Sequence, residues 1–374
     1  MTSVITHLPH WIVGEERIFN QLSAWQKIIS SKQAFRFYFY ENEYDQHDWT
    51  LEPRESWDDL VKVRCVQLRQ RYKNLKLFYS AGRDSDHILQ SFIKHNIPID
   101  ELVLLHWPDN SIRNFEHINY ILPRAQQYLK VNPLAKITVV IIGKAEYEKY
   151  YREAWVENKG ASMCLGYFLP TQFGWITNHL EKIKDSSTGY IVGADKPKLI
   201  FKGDNVYTAI LDKTLEVYLE SHNSIECFYY APDLPELYIK QCHILVKYLE
   251  ENYSNADQSF ISEFLDNSKS PYYNEMCVAV GRGNGWNNNL SIQNGKNKYD
   301  GGHTVFQQLK EQAKQENWQS INYYSEMIEY YRKIIPNAFH SDNIVKGGTI
   351  GIWGKQYFIK KFNRNTSVND VIKL

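Results

Sequence analysis

From residue 57 onward, apolar residues recur at two alternating spacings, a period near 3.6 and short β-branched runs. That alternation predicts strands separated by helices. Leu60, Val61, Val63, Cys65 and Leu68 mark a helix over residues 57–71. A strand follows at 75–79, then a helix at 84–95 with Ile88, Leu89, Phe92 and Ile93 on one side. A second strand at 101–106 leads to a helix at 115–130, kinked at Pro123, and a third strand at 136–142. Helices at 146–158 and 171–184 lead to a fourth strand at 189–192. Strands joined by helices of this length imply parallel βαβ units. The expected class is α/β, a parallel sheet with helices on both faces.

On either side of this series the pattern changes. Residues 1–57 read as an N-terminal cap, with a helix at 15–29, an aromatic strand at 35–40 and a polar loop through Pro53. Residues 58–215 form the expected α/β domain, and residues 216–374 a mostly helical region for substrate or a lid. Residues 199–230 alternate in strand fashion with a turn at Asp212-Lys213, predicting an antiparallel patch at the sheet edge. Asp233 is placed to cap a helix, with Pro235 in its first turn, running to about 251. Further helices are predicted at 259–265 and 318–334, with a Gly- and Asn-rich loop at 281–302 between them. The last elements read as a hairpin, 348–353 and 356–362, turning at Gly354-Lys355.

Composition changes this picture little. Hydrophobic residues are 43% of the 374, enough for a buried core, and 43 basic residues balance 43 acidic ones. No global field selects a nucleic-acid or membrane partner. The 27 tyrosines and 10 tryptophans read as rings filling an irregular core. Cys65, Cys164, Cys227, Cys242 and Cys277 are scattered, without a CxxC pair, which argues against a zinc ribbon or a local redox pair. The first residues lack a basic stretch followed by an apolar run, and no apolar segment approaches bilayer length. The expectation is a cytoplasmic protein.

The candidate chemistry lies in Ser80-Ala-Gly-Arg-Asp-Ser-Asp86, a small-residue turn between a strand and a helix. Such a turn can offer backbone N–H groups and a helix N-terminus to one anion. The Ser80 and Ser85 hydroxyls can donate to phosphate oxygens, and Asp84 is suited to Mg²⁺. A plain strand-to-helix turn, with Asp84 or Ser85 as N-cap, is the competing reading. A second turn, Gly193-Ala-Asp-Lys196, follows the fourth strand. There Gly193 allows close approach, Asp195 can share the metal, and Lys196 or Lys198 can neutralise a leaving anion. The basic run 355–364 reads as a solvated hairpin face rather than a nucleic-acid patch.

The first turn resembles the Ser-Gly-Gly-x-Asp-Ser signature of the PP-loop ATP pyrophosphatases. Ser80, Gly82, Asp84 and Ser85 match it residue for residue. Ala81 departs from it, and fits if its φ stays negative, with a methyl that narrows the phosphate cradle. The resemblance implies a Rossmann-like PP-loop domain that binds ATP and Mg²⁺ and releases AMP and pyrophosphate. It assigns ATP binding to Ser80, Ala81, Gly82, Arg83, Ser85, Asp86, His106, Trp107 and Gly193. It assigns catalysis to Asp84, Asp195 and Lys196, with Asp84 and Asp195 on the metal. Within the superfamily, residues 57–250 look most like stand-alone asparagine-synthetase-like proteins, including phage-encoded ones. Position 2 is Thr rather than Cys and no glutaminase region precedes the motif, so ammonia or an amine would be the nitrogen donor. The alternatives are sulfur transfer, as in the phosphoadenylylsulfate reductases that Arg83 brings to mind, and a catalytically degenerate nucleotide-binding protein. The acceptor substrate is not legible, and a nucleic-acid partner is not indicated.

Overall fold

Five short runs pair side by side as an all-parallel sheet, and each buries apolar residues against one or both of two clusters. The computed structural model describes residues 9–19, 21–108, 111–143, 145, 185–193, 197–211, 225–256, 278–280, 312, 315–316 and 353–364. Within them the chain opens with β1 (His10–Val13), β2 (Glu16–Ile18), α1 (Gln21–Ser31), β3 (Phe35–Tyr38) and α2 (Glu41–Tyr44). It continues through α3 (Trp57–Arg71), β4 (Asn74–Phe78), α4 (Arg83–Lys94), β5 (Glu101–His106) and α5 (Ser111–Glu116). A π turn (His117–Ile121) leads into α6 (Leu122–Val131), followed by β6 (Lys136–Ile141), β7 (Thr188–Val192), β8 (Leu199–Lys202) and β9 (Asn205–Leu211). The remainder is β10 (Ile225–Cys227), α7 (Pro235–Tyr253) and β11 (Trp353–Lys361).

The parallel sheet has the order β10-β7-β4-β5-β6. From β4 the chain winds outward through β5 to β6, then returns to β7 on the other side of β4. The winding therefore reverses between β4 and β7, and the crevice for ligands in open α/β sheets lies outside the carboxyl ends of the strands at such a point. Successive residues face opposite sides. Leu75, Leu77, Leu102, Leu104, Ile191 and Cys227 join the main core with α3, α4, α6 and α7. Phe78, Val103, Val140, Tyr190, Val192 and Ile225 form a second cluster on the opposite face. The helices expected at 146–158 and 171–184 lie outside the described residues.

Several local expectations give way. The N-terminal segment is a β1–β2 hairpin turning at Gly14 (φ 61°), with the helix beginning only at Gln21. The kink expected at Pro123 is a π turn immediately ahead of it; Pro123, with no N–H to donate, falls in the first turn of α6. β8 and β9 turn at Gly203 (φ 60°) and pair antiparallel in a separate sheet, while Asp212-Lys213 lies outside the described residues. Gly354-Lys355 is not a hairpin turn. It sits within the continuous strand β11, at a register irregularity against β9. Residues 259–265, 281–302, 318–334 and 348–352 are outside the described residues.

The fifth strand, β10, runs beyond residue 215, where the sequence pattern ends the α/β domain. Its centre, Glu226, is a buried carboxylate. It accepts from Arg64 Nη2 (2.6 Å), Arg71 Nη1 (2.6 Å) and the Tyr72 hydroxyl (2.7 Å). Arg64 is fully buried and also pairs with Asp233 Oδ1 at 3.3 Å, while Arg71 pairs with Asp233 Oδ2. Asp233 consequently does not cap α7; Leu234 occupies that position without a side-chain bond. A buried guanidinium needs carboxylate partners more than a helix needs one cap. The aromatic residues do fill the core: Trp49 stacks on Tyr357 at 4.1 Å, with Tyr44 tilted against both and Tyr238 edge-on to Trp49.

Candidate active site

β4 ends at Phe78, and the chain reaches α4 within four residues. Ala81 makes that turn with φ 52°, in the left-handed region, and not with the negative φ expected for it. Its methyl is fully buried in the main core, so it does not narrow a cradle on the solvent side. Gly82, extended at φ −69° and ψ 163°, is the N-cap, so neither Asp84 nor Ser85 is. The first helical bond runs from Asp86 N–H to the Gly82 carbonyl at 2.8 Å. The N–H groups of Arg83, Asp84 and Ser85 precede that ladder, at the positive end of the α4 dipole.

The two serines meet inside the turn. Ser85 Oγ accepts from Ser80 N–H at 3.2 Å, lies 3.2 Å from Ser80 Oγ and donates to the Gly82 carbonyl at 3.3 Å. Ser85 is buried and Ser80 exposed. The hydroxyl pair holds the turn in shape, and Ser80, its exposed member, also accepts from Gly82 N–H at 3.4 Å.

Asp84 and Asp86 have different surroundings. Asp86 is buried, accepts the Tyr79 hydroxyl at 2.7 Å and pairs with Arg124 at 3.2 Å. It ties the turn to α6, and that carboxylate raises the Tyr79 hydroxyl further beyond what burial alone does. Asp84 is half-buried at the second position of α4. Gly193, just past β7, crosses close over it. A Cβ on Gly193 would stand 3.2 Å from Asp84 Cβ and 3.2 Å from Ser85 N, tighter than ordinary contact. The ends of β4 and β7 therefore meet at the point where the winding reverses. Asp195, Lys196 and the stretch between them and Gly193 lie outside the described residues.

At the end of β5, His106 and Trp107 diverge. Trp107 is buried within the second apolar cluster. His106 is half-buried, stacks on His117 at 4.2 Å and 14°, and lies 2.7 Å by Nε2 from Asn114 Oδ1. The π turn sets His117 under that ring, since a π bulge rotates the following side chains around the helix. Burial, then the neighbouring His106, lowers the pKa of His117.

Three neighbours of the turn were not foreseen. Arg124 reaches Asp86 from α6, while Tyr229 donates to the Asp84 carbonyl at 3.2 Å and lies 2.8 Å from His87 Nδ1. Trp57 stacks at 5.9 Å on His87 and 6.3 Å on Tyr229. A three-residue strand followed by Phe228-Tyr229-Tyr230 gives too weak a signal to place Tyr229 at a sheet edge.

What this arrangement can hold is an anion at the α4 N-terminus with a cation beside it. The described residues contain no group of three or more His, Cys, Asp or Glu side chains placed to bind a metal. A phosphate-bound Mg²⁺ needs only one or two carboxylates, and Asp84 supplies one. The described thiols Cys65, Cys227 and Cys242 are buried; burial raises the Cys65 pKa and pushes that of Cys242 up to about 12. No helix among the described residues is long and apolar enough to cross a membrane. No protein-family model matches the chain, and no curated protein is similar to it.

Proposed function

We propose that this chain is a PP-loop enzyme that binds ATP at the Ser80–Ser85 turn and cleaves it to AMP and pyrophosphate, adenylating a carboxylate or carbonyl oxygen. The observation that carries this reading is the approach of Gly193 to Asp84 and Ser85 at the reversal of strand winding. That crossing brings the end of β7 onto the first turn of α4 at the point where open α/β sheets bind their ligands. An anion is what the helix dipole favours.

Roles follow from position. The N–H groups of α4's first turn, with the Ser80 hydroxyl, bind phosphate oxygens and Arg83 adds positive charge, while the buried Ser85 hydroxyl, donating to the Gly82 carbonyl, shapes the turn that holds them. Asp84 would hold Mg²⁺, which when bound neutralises charge on the pyrophosphate. Asp195 and Lys196 follow Gly193 closely in sequence and are assigned metal sharing and leaving-group neutralisation on that ground. His106 is the better placed of the two β5 residues to meet a base, Trp107 being enclosed. The acceptor oxygen attacks the α-phosphorus, the bond to the bridging oxygen breaks, and that oxygen leaves with pyrophosphate. Ammonia or an amine then displaces AMP from the activated carbon. Buried thiols with raised pKa values are poor sulfur nucleophiles, so nothing described favours sulfur transfer.

Asp84→Asn tests the proposal. It keeps shape and removes the charge facing the cation, so Mg²⁺-dependent pyrophosphate release falls by about a hundredfold or more. Asp84 is not the N-cap, and loss of its interaction with the helix dipole costs about 0.3–1 kcal/mol. A fully active Asp84→Asn protein, or ADP and phosphate as sole products, rejects the reading.

A further inference from the structure

One face of the small antiparallel sheet β8-β9-β11 sets exposed lysines beside a partly exposed pair of rings. Its register sets Ile200, Tyr207 and Phe358 in one row across the three strands, and Lys202, Asn205 and Lys361 in the next. Tyr207 and Phe358 are a cross-strand pair with ring centroids 5.4 Å apart. Phe358 is 38% exposed and Tyr207 half-buried. The Lys202 ammonium stands 5.1 Å from the centre of the Tyr207 ring, and Lys202 and Lys361 are both exposed.

Charge singles out this face. The neighbouring basic residues are neutralised: Lys355 pairs with Asp45 at 2.7 Å, Lys360 with Glu250 at 2.9 Å and Arg364 with Asp204 at 2.8 Å. Lys202 and Lys361 have no carboxylate partner among the described residues. No Asp or Glu stands in either row of the face. A cross-strand ring pair stabilises any sheet. That role does not call for two lysines without carboxylate partners in the row beside the rings, nor for leaving one ring over a third exposed.

We propose that this face binds single-stranded nucleic acid, with bases stacking on Tyr207 and Phe358 and Lys202 and Lys361 contacting the adjacent phosphates. An aromatic platform on an open sheet, flanked by cations, matches what an unpaired strand presents: π faces alternating with negative charge. Duplex fits poorly, because its bases are stacked on one another and closed to the rings. This site is independent of the ATP chemistry proposed above.

The test is fluorescence anisotropy of the full chain with labelled 15-nucleotide single strands, RNA and DNA separately, and the corresponding duplex, in low salt without ATP. Because no ATP is present, failure here is distinct from failure of pyrophosphate release. Single strands are expected to bind at least tenfold more tightly than duplex. The Tyr207→Leu/Phe358→Leu variant, which keeps an apolar pair, weakens binding at least tenfold. The Lys202→Gln/Lys361→Gln variant weakens it and flattens the slope of log affinity against log salt by about 1.4, two single-strand phosphate contacts. Those lysines are exposed, so that variant folds and the test stands even where the aromatic variant does not. Preference for RNA or for DNA identifies the source of the strand. Absent binding, equal binding of duplex, or binding indifferent to the lysine pair overturns the proposal.

Discussion

Tyr229 donates its hydroxyl proton to the main-chain carbonyl of Asp84 at 3.2 Å, joining the segment after β10 to the first turn of α4. A phenol has one proton, and that bond uses it. The 2.8 Å contact between Tyr229 Oη and His87 Nδ1 then requires His87 to be the donor there. The pair sets the His87 tautomer and fixes the peptide that carries Asp84. Tyr229→Phe removes the donor and leaves a carbonyl and a ring N–H with one partner fewer. The expected loss of stability is about 1–3 kcal/mol in urea denaturation. The ¹⁵N shifts of His87 should move away from the Nδ1–H pattern in the same variant, and unchanged shifts would show that the bond is not made.

The second prediction concerns Ala81, at φ 52° with its methyl fully buried. A β-branched residue is far less tolerant of positive φ than alanine, and its extra atoms would have to enter a packed core. Ala81→Val should cost at least about 2 kcal/mol. Ala81→Gly relieves strain of about 1 kcal/mol, but loses a buried methyl worth about 0.8 kcal/mol and adds freedom to the unfolded chain worth about 0.4–1 kcal/mol. These offset, so Ala81→Gly should change stability by less than about 1 kcal/mol. ATP affinity should stay within about twofold, because the methyl faces the core. Tighter ATP binding by Ala81→Gly would place the methyl in the cleft instead.

Gly193→Ala separates the site from the fold in a different way. Its added methyl meets Asp84 Cβ and Ser85 N at 3.2 Å, so the first turn of α4 must give by a few tenths of an ångström. An electrostatic site loses rate when its donors shift by such amounts. Pyrophosphate release should fall at least about tenfold, with a drop in stability of no more than about 1–2 kcal/mol. Equal activity of the two proteins would mean that the Gly193 crossing has no part in nucleotide chemistry.

The parallel strands and the Ser80–Ser85 turn were legible because each rests on local pattern. Residues 57–71 have their helical spacing in full, and β4, β5 and β6 are largely apolar runs, each preceded by a helix. What escaped was set by long-range pairing. Ile225–Cys227 is three residues long with a glutamate at its centre, which reads as nothing in isolation. It becomes a buried strand only because Arg64 and Arg71, some 155–162 positions away, neutralise Glu226. Asp233 looked like a cap for the same reason, its partners on α3 being invisible in the local sequence. Ala81 shows the converse: the motif was readable, while its backbone angle depended on the core receiving its methyl.

The last prediction concerns acid. His117 and His243 are buried, and burial lowers the pKa of each below the ordinary 6.5. In His117 the neighbouring His106 adds to the effect; in His243 the Trp49 carbonyl at 3.0 Å opposes it without reversing it. A histidine depressed in the folded state is held neutral there and takes its proton more readily when unfolded. Its contribution to stability is therefore complete above pH 6.5 and is lost as pH falls through the folded-state value. Glu52 and Asp58, lowered by hydrogen bonds from Lys240 and Lys94, act in the same direction, but below about 4.5 and 3.8, their unperturbed values. From pH 7.5 to 5.5 the decline should therefore come from the histidines and not from these carboxylates. The urea midpoint should fall over that interval, and His243→Gln, which keeps a donor for the Trp49 carbonyl but cannot titrate, should fall less steeply. A midpoint flat across that range, or an identical slope in His243→Gln, would remove His243 from the acid response.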